Sequence, residues 1–249
     1  MKTRFLAAIL LAGSLLGAES EPVRVLSSNG VQAAVKDLIG PAQTAIGHPL
    51  SLEFGTTVVH RKSIEAGDPF DMTVLTAEAI DALIKEGKIA PGSRTDIGHV
   101  GIGIGIKAGA KKPEIGTPEA IKQTLLKAKG ITYASDGASK PHIEKMFEAL
   151  GITDQMKPKL VLVQGSDASL KAVETGQADI IITLMSEIMP DKNVQLVGPL
   201  PEKFQNYVDF VAGVSSTAKN ANAASALIKY LSGPMGKPVF KAKGIEPPK

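Results

Sequence analysis

The chain has 249 residues, a formal charge of +3, no cysteine, no tryptophan and only 4 % aromatic side chains. No disulfide framework is possible without cysteine. Interspersed charges and scarce rings exclude the basic stripe with stacking platforms that nucleic acids require.

Lys2 and Arg4 precede "FLAAILLAGSLLGA", an apolar stretch of fourteen residues, and "AES" at 18–20 supplies small residues beyond it. This is the pattern of a signal peptide, with cleavage after Ser20 or Ala18. The run is too short for a membrane span, and without cysteine there is no lipid attachment point. The expectation is an exported protein in the periplasm, not anchored to the membrane. The remaining residues, about 229, carry 26 basic and 24 acidic side chains. They suit one large domain or two small ones.

Beyond residue 20, short β-branched runs alternate with helical patterns, the signature of an α/β protein with largely parallel sheets. "VRVLSS" (23–28) reads as a strand. A helix follows over "GVQAAVKDLIGPAQTAIG", with Gly40-Pro41 as a candidate break. "LSLEFG" is the second strand, "TVVHRKSIEAG" a helix stopping at Gly67, "FDMTVLT" the third strand and "AEAIDALIKEGKI" a strongly periodic helix. "VGIGIGIKAG" (100–109) is a glycine-rich strand whose glycines imply a bend or a close approach. It lacks G-x-G-x-x-G spacing and opens no helix, so it is no nucleotide fingerprint.

Further on, Thr117 is the expected N-cap and Pro118 the first residue of the helix "TPEAIKQTLLKAK". "GITYAS", "KLVLVQG" and "ADIIITL" read as strands, with helices over "SKPHIEKMFEALGI" and "DASLKAVETGQ" between them. "VQLVGPLPEKFQNYVDFVAGVS" is extended, and "NAASALIKYLSG" is helical. The segment "GPLPEKF" and the glycine-rich strand are the two places where the chain would cross between lobes.

Four strand-to-helix junctions carry glycine and hydroxyl residues: Ser27-Ser28-Asn29-Gly30, Gly55-Thr56-Thr57, Ser135-Asp136-Gly137-Ala138-Ser139 and Gly165-Ser166-Asp167. Each alone is ordinary capping chemistry. Together they suit an oxyanion or carboxylate held where helix N-termini point free N–H groups into a crevice. His60, Arg61 and Lys62 follow the second junction, and Lys140 and His142 the third. At 100° per residue the trio cannot face one point. His60 lies one turn from Thr56 and Thr57, whereas Arg61 and Lys62 read as a solvated face. Arg94 and His99 flank the glycine-rich strand. No HExxH, HxxEH or G-x-S-x-G spacing occurs, so neither a metal nor any other cofactor is expected.

The series "VLSSNG…FGTT…IEAGDPFDMTVLTAEAIDALIKEGKI", "ITYASDGAS…LVLVQGSDASLKAVETGQADIIITLMSEI" and "NAASALIKYLSGPMGKPVFKAKGIEPP" is similar to the periplasmic solute-binding proteins of the molybdate-binding type. The resemblance implies a type II periplasmic binding protein: two α/β lobes joined by two crossing strands, with the ligand cleft between them. Residues 21–99 with 208–249 would form lobe 1 and 100–207 lobe 2, crossing near 98–108 and 198–212. It implies a ligand shell of Ser27, Ser28, Thr56 and Thr57 from lobe 1, with Asn29 beside them, and of Ser139, Gly165 and Ser166 from lobe 2. It also implies a monomer, a small anionic ligand and an ABC permease as partner.

Two departures leave the ligand open. Typical molybdate binders place a tyrosine where this chain has Thr183, Leu184 and Met185, and they surround their dianion with neutral groups, whereas basic residues crowd two of the junctions here. This branch also resembles periplasmic aconitate isomerase. On that alternative His60 is the base that moves a proton between cis- and trans-aconitate, and Arg61, Lys140 and His142 neutralise carboxylates. A structural or chaperone-like role is a third and more distant reading.

Overall fold

The computed structural model describes residues 21–248; the expected signal peptide lies outside the described residues. In chain order the elements are β1 (Val23–Ser28), α1 (Gln32–Ile46), β2 (Leu50–Gly55), α2 (Thr57–Ala66), β3 (Met72–Thr76), α3 (Ala77–Lys85) and β4 (Thr95–Lys107). They continue as α4 (Pro118–Lys127), β5 (Ile131–Ala134), α5 (Lys140–Ala149), α6 (Thr153–Met156), β6 (Leu160–Val163), α7 (Ser166–Glu174) and β7 (Ile180–Leu184). The chain ends with α8 (Met185–Ile188), β8 (Val194–Pro199), β9 (Tyr207–Val214), α9 (Ala221–Ser232) and α10 (Gly236–Ala242).

The strands run β2-β1-β3-β9-β4-β7-β5-β6, with β8 on β4 off this path. β1 pairs in parallel with β2 and β3, and β5 pairs in parallel with β6 and β7. These two parallel groups are the cores of two α/β lobes. The antiparallel strands β4 and β9 link them. β4 pairs with β9 over Thr95–Gly101, then with β7 and β8 from Ile102 onward. The exchange is fastened by Gln205, whose side-chain amide accepts from the Ile102 N–H at 2.9 Å and donates to the Ile102 carbonyl at 3.0 Å. Two lobes joined by two crossing strands are therefore what the chain builds.

Local chemistry explains most boundaries. Gly67 takes φ +95° and closes α2 in the left-handed cap that glycine adopts without strain. The Thr117 hydroxyl accepts from the Ala120 N–H at 3.1 Å, and Pro118 opens α4. α1 continues through Pro41, because its inner face (Ala34, Val35, Leu38, Ala42) is buried while Gly40 and Pro41 lie on the exposed side. A proline on the solvent side leaves the freed carbonyl to water.

The glycines of β4 answer to close approach. A methyl group on Gly105 would lie 2.8 Å from Ile181 Cγ2 and 2.9 Å from Val194 Cγ1, and one on Gly103 would lie 2.7 Å from Met185 Cγ. Gly105→Ala should cost about 1–3 kcal/mol by overpacking. The expected drop in a thermal melt is roughly 5 °C for a chain of this size.

Candidate functional site

The four junctions meet at the carboxyl ends of the parallel strands, where the lobes face each other. Ser28 and Asn29 come from the end of β1, Thr56 and Thr57 from the start of α2, and Gly137, Ala138 and Ser139 from the turn before α5. Ser166 comes from the start of α7, and Thr183, Leu184 and Glu187 from the β7–α8 step. They enclose a central cavity of about 20 Å³. Thr57, Gly137 and Ala138 also border a larger cavity of about 510 Å³, which reaches Glu78, His142, Asn206 and Tyr207. On the opposite side Asn29, Ser166 and Glu187 border a third, of about 280 Å³, lined also by Lys36, Asp167 and Lys243.

Hydrogen bonds tie the lobes across this centre. Asn29 Nδ2 donates to Ser166 Oγ at 3.3 Å, and Ser186 Oγ donates to the Gly30 carbonyl at 2.6 Å. Thr56 Oγ1 donates to Asp136 Oδ2 at 2.9 Å, while Asp136 Oδ1 accepts from the Gly165 N–H at 2.9 Å.

The donor account shows what remains for a ligand. Thr56 spends its proton on Asp136, and Thr183 donates to Glu187. Ser28 and Thr57 accept from the backbone N–H groups of Gly30 and Thr76, which leaves each hydroxyl proton unspent. The Ser139 hydroxyl belongs to a residue only 3 % exposed and has no protein partner among the described residues. The Thr57 and Val58 N–H groups of α2 and the first N–H groups of α7 have no acceptor among the described residues and carry the positive end of the helix dipole, whereas α5 spends its Lys140 and His142 N–H groups on the Gly137 and Ser139 carbonyls. Neither lysine nor arginine lines the central cavity among the described residues.

Glu187 stands out in that wall. It is half-buried and borders two of the three cavities. Burial pushes its carboxyl up from the usual range; hydrogen bonds from Thr183, Ser166 and the Leu184 N–H oppose this, and Asp167 adds to it. An ionised carboxylate about 4 Å from a bound anion would repel it by about 4 kcal/mol at an effective dielectric of 20. The neutral acid can donate to the anion instead.

Of the residues expected from sequence, Ser28, Asn29, Thr56, Thr57, Ser139 and Ser166 come together around the central cavity. Gly165 contributes through its N–H to Asp136. His142 lines the 510 Å³ cavity, its Nε2 3.0 Å from Asn206 Nδ2. Burial lowers its pKa, helped by Lys145 and opposed by Glu78, so the ring accepts from Asn206 as the neutral form.

Ser27 and His60 lie behind the first junction and border none of these three cavities. Both are fully buried; His60 Nε2 donates to the Ser27 carbonyl at 3.2 Å, and its Nδ1 has no partner among the described residues. Burial lowers the His60 pKa against the pull of Glu53 and the Ser27 carbonyl. Arg61 lies on the outer face, paired with Glu65 at 2.6 Å and Glu86 at 3.0 Å. Lys140 reaches Glu144 at 4.0 Å and borders none of the three cavities. Arg94 pairs with Asp81 and Asp96, and the His99 ring packs edge-on to Tyr207. Glu187, and the role of Asp136 as an interlobe acceptor, carry no sequence signal: an acid after an apolar strand reads as a solvated helix start.

Comparison with known proteins agrees with this architecture. The chain is 27 % identical over 256 residues to the aconitate isomerase of a Pseudomonas species, covering 99 % of this chain and 97 % of that protein. It is 24 % identical over 240 residues to the molybdate-binding protein ModA of Escherichia coli K12, covering 94 % and 92 %. Among solved structures, the periplasmic molybdate-binding protein of Azotobacter vinelandii superposes with a TM-score of 0.78 at 16 % identity, covering 91 % of this chain and 100 % of that one. The profile of the bacterial extracellular solute-binding proteins matches residues 23–246, and the chain belongs to that family.

Proposed function

We propose that the protein captures a small anion, a compact oxyanion or the carboxylate head of a small polycarboxylate, between its lobes and delivers it to an ABC importer. The carrying observation is the central cavity, where unspent hydroxyls and helix N-termini from both lobes converge without a lysine or arginine in the wall. Donors fixed by the fold recognise an anion at little cost in ordering. On this reading residues 1–20 direct export to the periplasm and the mature chain acts as a monomer. Residues 21–99 with 208–249 and residues 100–207 are its lobes, hinged near 98–108 and 198–212. The change of β4 from β9 to β7 and β8 after Gly101 supports that division.

Titration calorimetry of the purified mature protein with molybdate, sulfate and cis-aconitate tests the proposal. At least one should bind. Ser139→Ala should then weaken it at least tenfold, since a hydrogen bond to a charged group contributes about 1.5–3 kcal/mol. No binding by any of the three would sink the reading.

A second reading, isomerisation of aconitate on the same scaffold, is favoured by Glu187 and His142. They are acid–base groups in neighbouring cavities that share the turn before α5. His60, the base expected from sequence, borders neither of them. Incubation with cis-aconitate followed by chromatography decides it: accumulation of the trans isomer establishes turnover, and a constant substrate peak excludes it.

A further inference from the structure

We propose that Glu187 is a ligand-contacting residue that carries a proton into the closed cleft and donates it in a hydrogen bond to the captured anion, so that capture takes up a proton from solution. The inference rests on the anion reading above and specifies the chemistry of that site.

Position comes first. Glu187 borders the central cavity together with Ser28 and Ser139, the two serines whose protons are unspent. Its acceptor capacity is partly used, because Thr183 and Ser166 both donate to it. Toward an anion that offers no proton the carboxyl group can act only as a donor, and it fills that role only when protonated.

The charged neighbours do not supply a counter-ion. From α7, Asp167 adds negative charge. From α1 and the segment after α10, Lys36, Asp37 and Lys243 line the 280 Å³ cavity, where Lys243 is 2.7 Å from Asp37 and Lys36 lies over the Phe54 ring. Asp136 is committed to Thr56 and Gly165. Burial already favours the neutral acid in the empty protein, and an anion arriving in the central cavity favours it further.

The ligand class follows. A neutral Glu187 suits an anion that presents a bare acceptor oxygen, such as a fully ionised oxyanion or carboxylate. An anion bearing its own O–H would call for an ionised Glu187 and would give no uptake, or release. The sign of proton exchange therefore reports which partner holds the proton.

The test is calorimetry in two buffers of different ionisation enthalpy, from pH 5.5 to 9, with whichever of molybdate, sulfate or cis-aconitate binds. Wild type is compared with Glu187→Gln, so that titration of the ligand itself cancels. The protonated form is the binding form, so affinity should be flat below the midpoint of Glu187 in the free protein. Above that midpoint affinity should fall by up to tenfold per pH unit, with up to one proton taken up per ligand. Glu187→Gln keeps a donor but cannot titrate, and should remove both the slope and the uptake. Binding with no difference in proton uptake between the two proteins overturns this inference alone, and the wild-type measurement stands even if the variant does not fold. Failure of all three anions to bind overturns the anion reading and this inference with it.

Discussion

Replacing Asp71 with alanine should lower the unfolding free energy by about 2–4 kcal/mol, because it takes the acceptors from two part-buried N–H groups, each costing about 1–3 kcal/mol without a partner. Asp71 is only 3 % exposed and sits just before β3. Its Oδ2 accepts from the Arg24 N–H of β1 at 2.9 Å, and its Oδ1 from the Asn220 N–H ahead of α9 at 2.8 Å. Its backbone pairs with Arg24 as well, and its carbonyl accepts from Ser215 beyond β9. The carboxylate thus fastens the segment before β3 to β1 and to the start of α9, while the backbone bonds to Arg24 and Ser215 survive the substitution. Urea unfolding at pH 7 should show the loss, and the melt should fall by roughly 10 °C.

The same site sets a dependence on acid. Burial pushes the Asp71 carboxyl up, but the N–H donors of Arg24, Asn220 and Lys219 outweigh it and hold it below its ordinary 3.8. A depressed carboxylate adds stability that is fully present above the unfolded-state value and is lost as pH falls through the folded-state value. The gap between wild type and Asp71→Ala should therefore hold from pH 7 to about pH 5 and narrow below about pH 4. A gap that stays constant down to pH 2 would show that the carboxylate charge is not what stabilises this corner.

The contrast between Asp71 and the cleft shows what a sequence can reveal. β1 and β2 follow their apolar runs residue for residue, and Gly67 and Thr117 mark helix ends through local chemistry that needs no tertiary partner. Four strand-to-helix junctions are visible for the same reason, and their convergence follows from parallel strands whose carboxyl ends share one edge. α6, α8 and α10 are four, four and seven residues long, too short to display a periodic face.

The side-chain roles separate along the same line. Helix geometry alone divides His60 from Arg61 and Lys62, but it does not say which way His60 turns. Its ring packs under β1 because Gly55 has no side chain; a methyl group there would lie 3.0 Å from His60 Nε2. That is a tertiary fact, as is the setting of Glu187, where Thr183 of β7 and Ser166 of α7 meet a carboxyl on a four-residue helix. Asp136 is legible as part of a junction, yet its reach to Thr56 spans the cleft and depends on the lobes being closed.

That reach leads to the second large effect. Asp136→Ala should weaken binding of the anion by about 10- to 100-fold, because the Thr56–Asp136 bond joins opposite lobes and adds to the closed state alone. A charge-assisted bond contributes about 1.5–3 kcal/mol, and a bond present only in the closed form enters ligand affinity through the closed population. The Gly165–Asp136 bond lies within one lobe, so its loss should appear as lower stability of about 1–2 kcal/mol and leave closure alone. Calorimetry and thermal melts separate the two contributions. Asparagine distinguishes them further. Its carbonyl can serve the Gly165 N–H, an obligate donor, while its NH₂ turns toward Thr56, whose hydroxyl can rotate and accept. Asp136→Asn should therefore hold affinity within about threefold of wild type if the bond, rather than the charge, is what the cleft uses. Thr56→Val removes the same interlobe bond from the other side, so it should match Asp136→Ala in affinity. The double variant should be no weaker than either single one, because both delete one interaction. Additive losses would mean that Asp136 acts on the ligand directly instead of through Thr56.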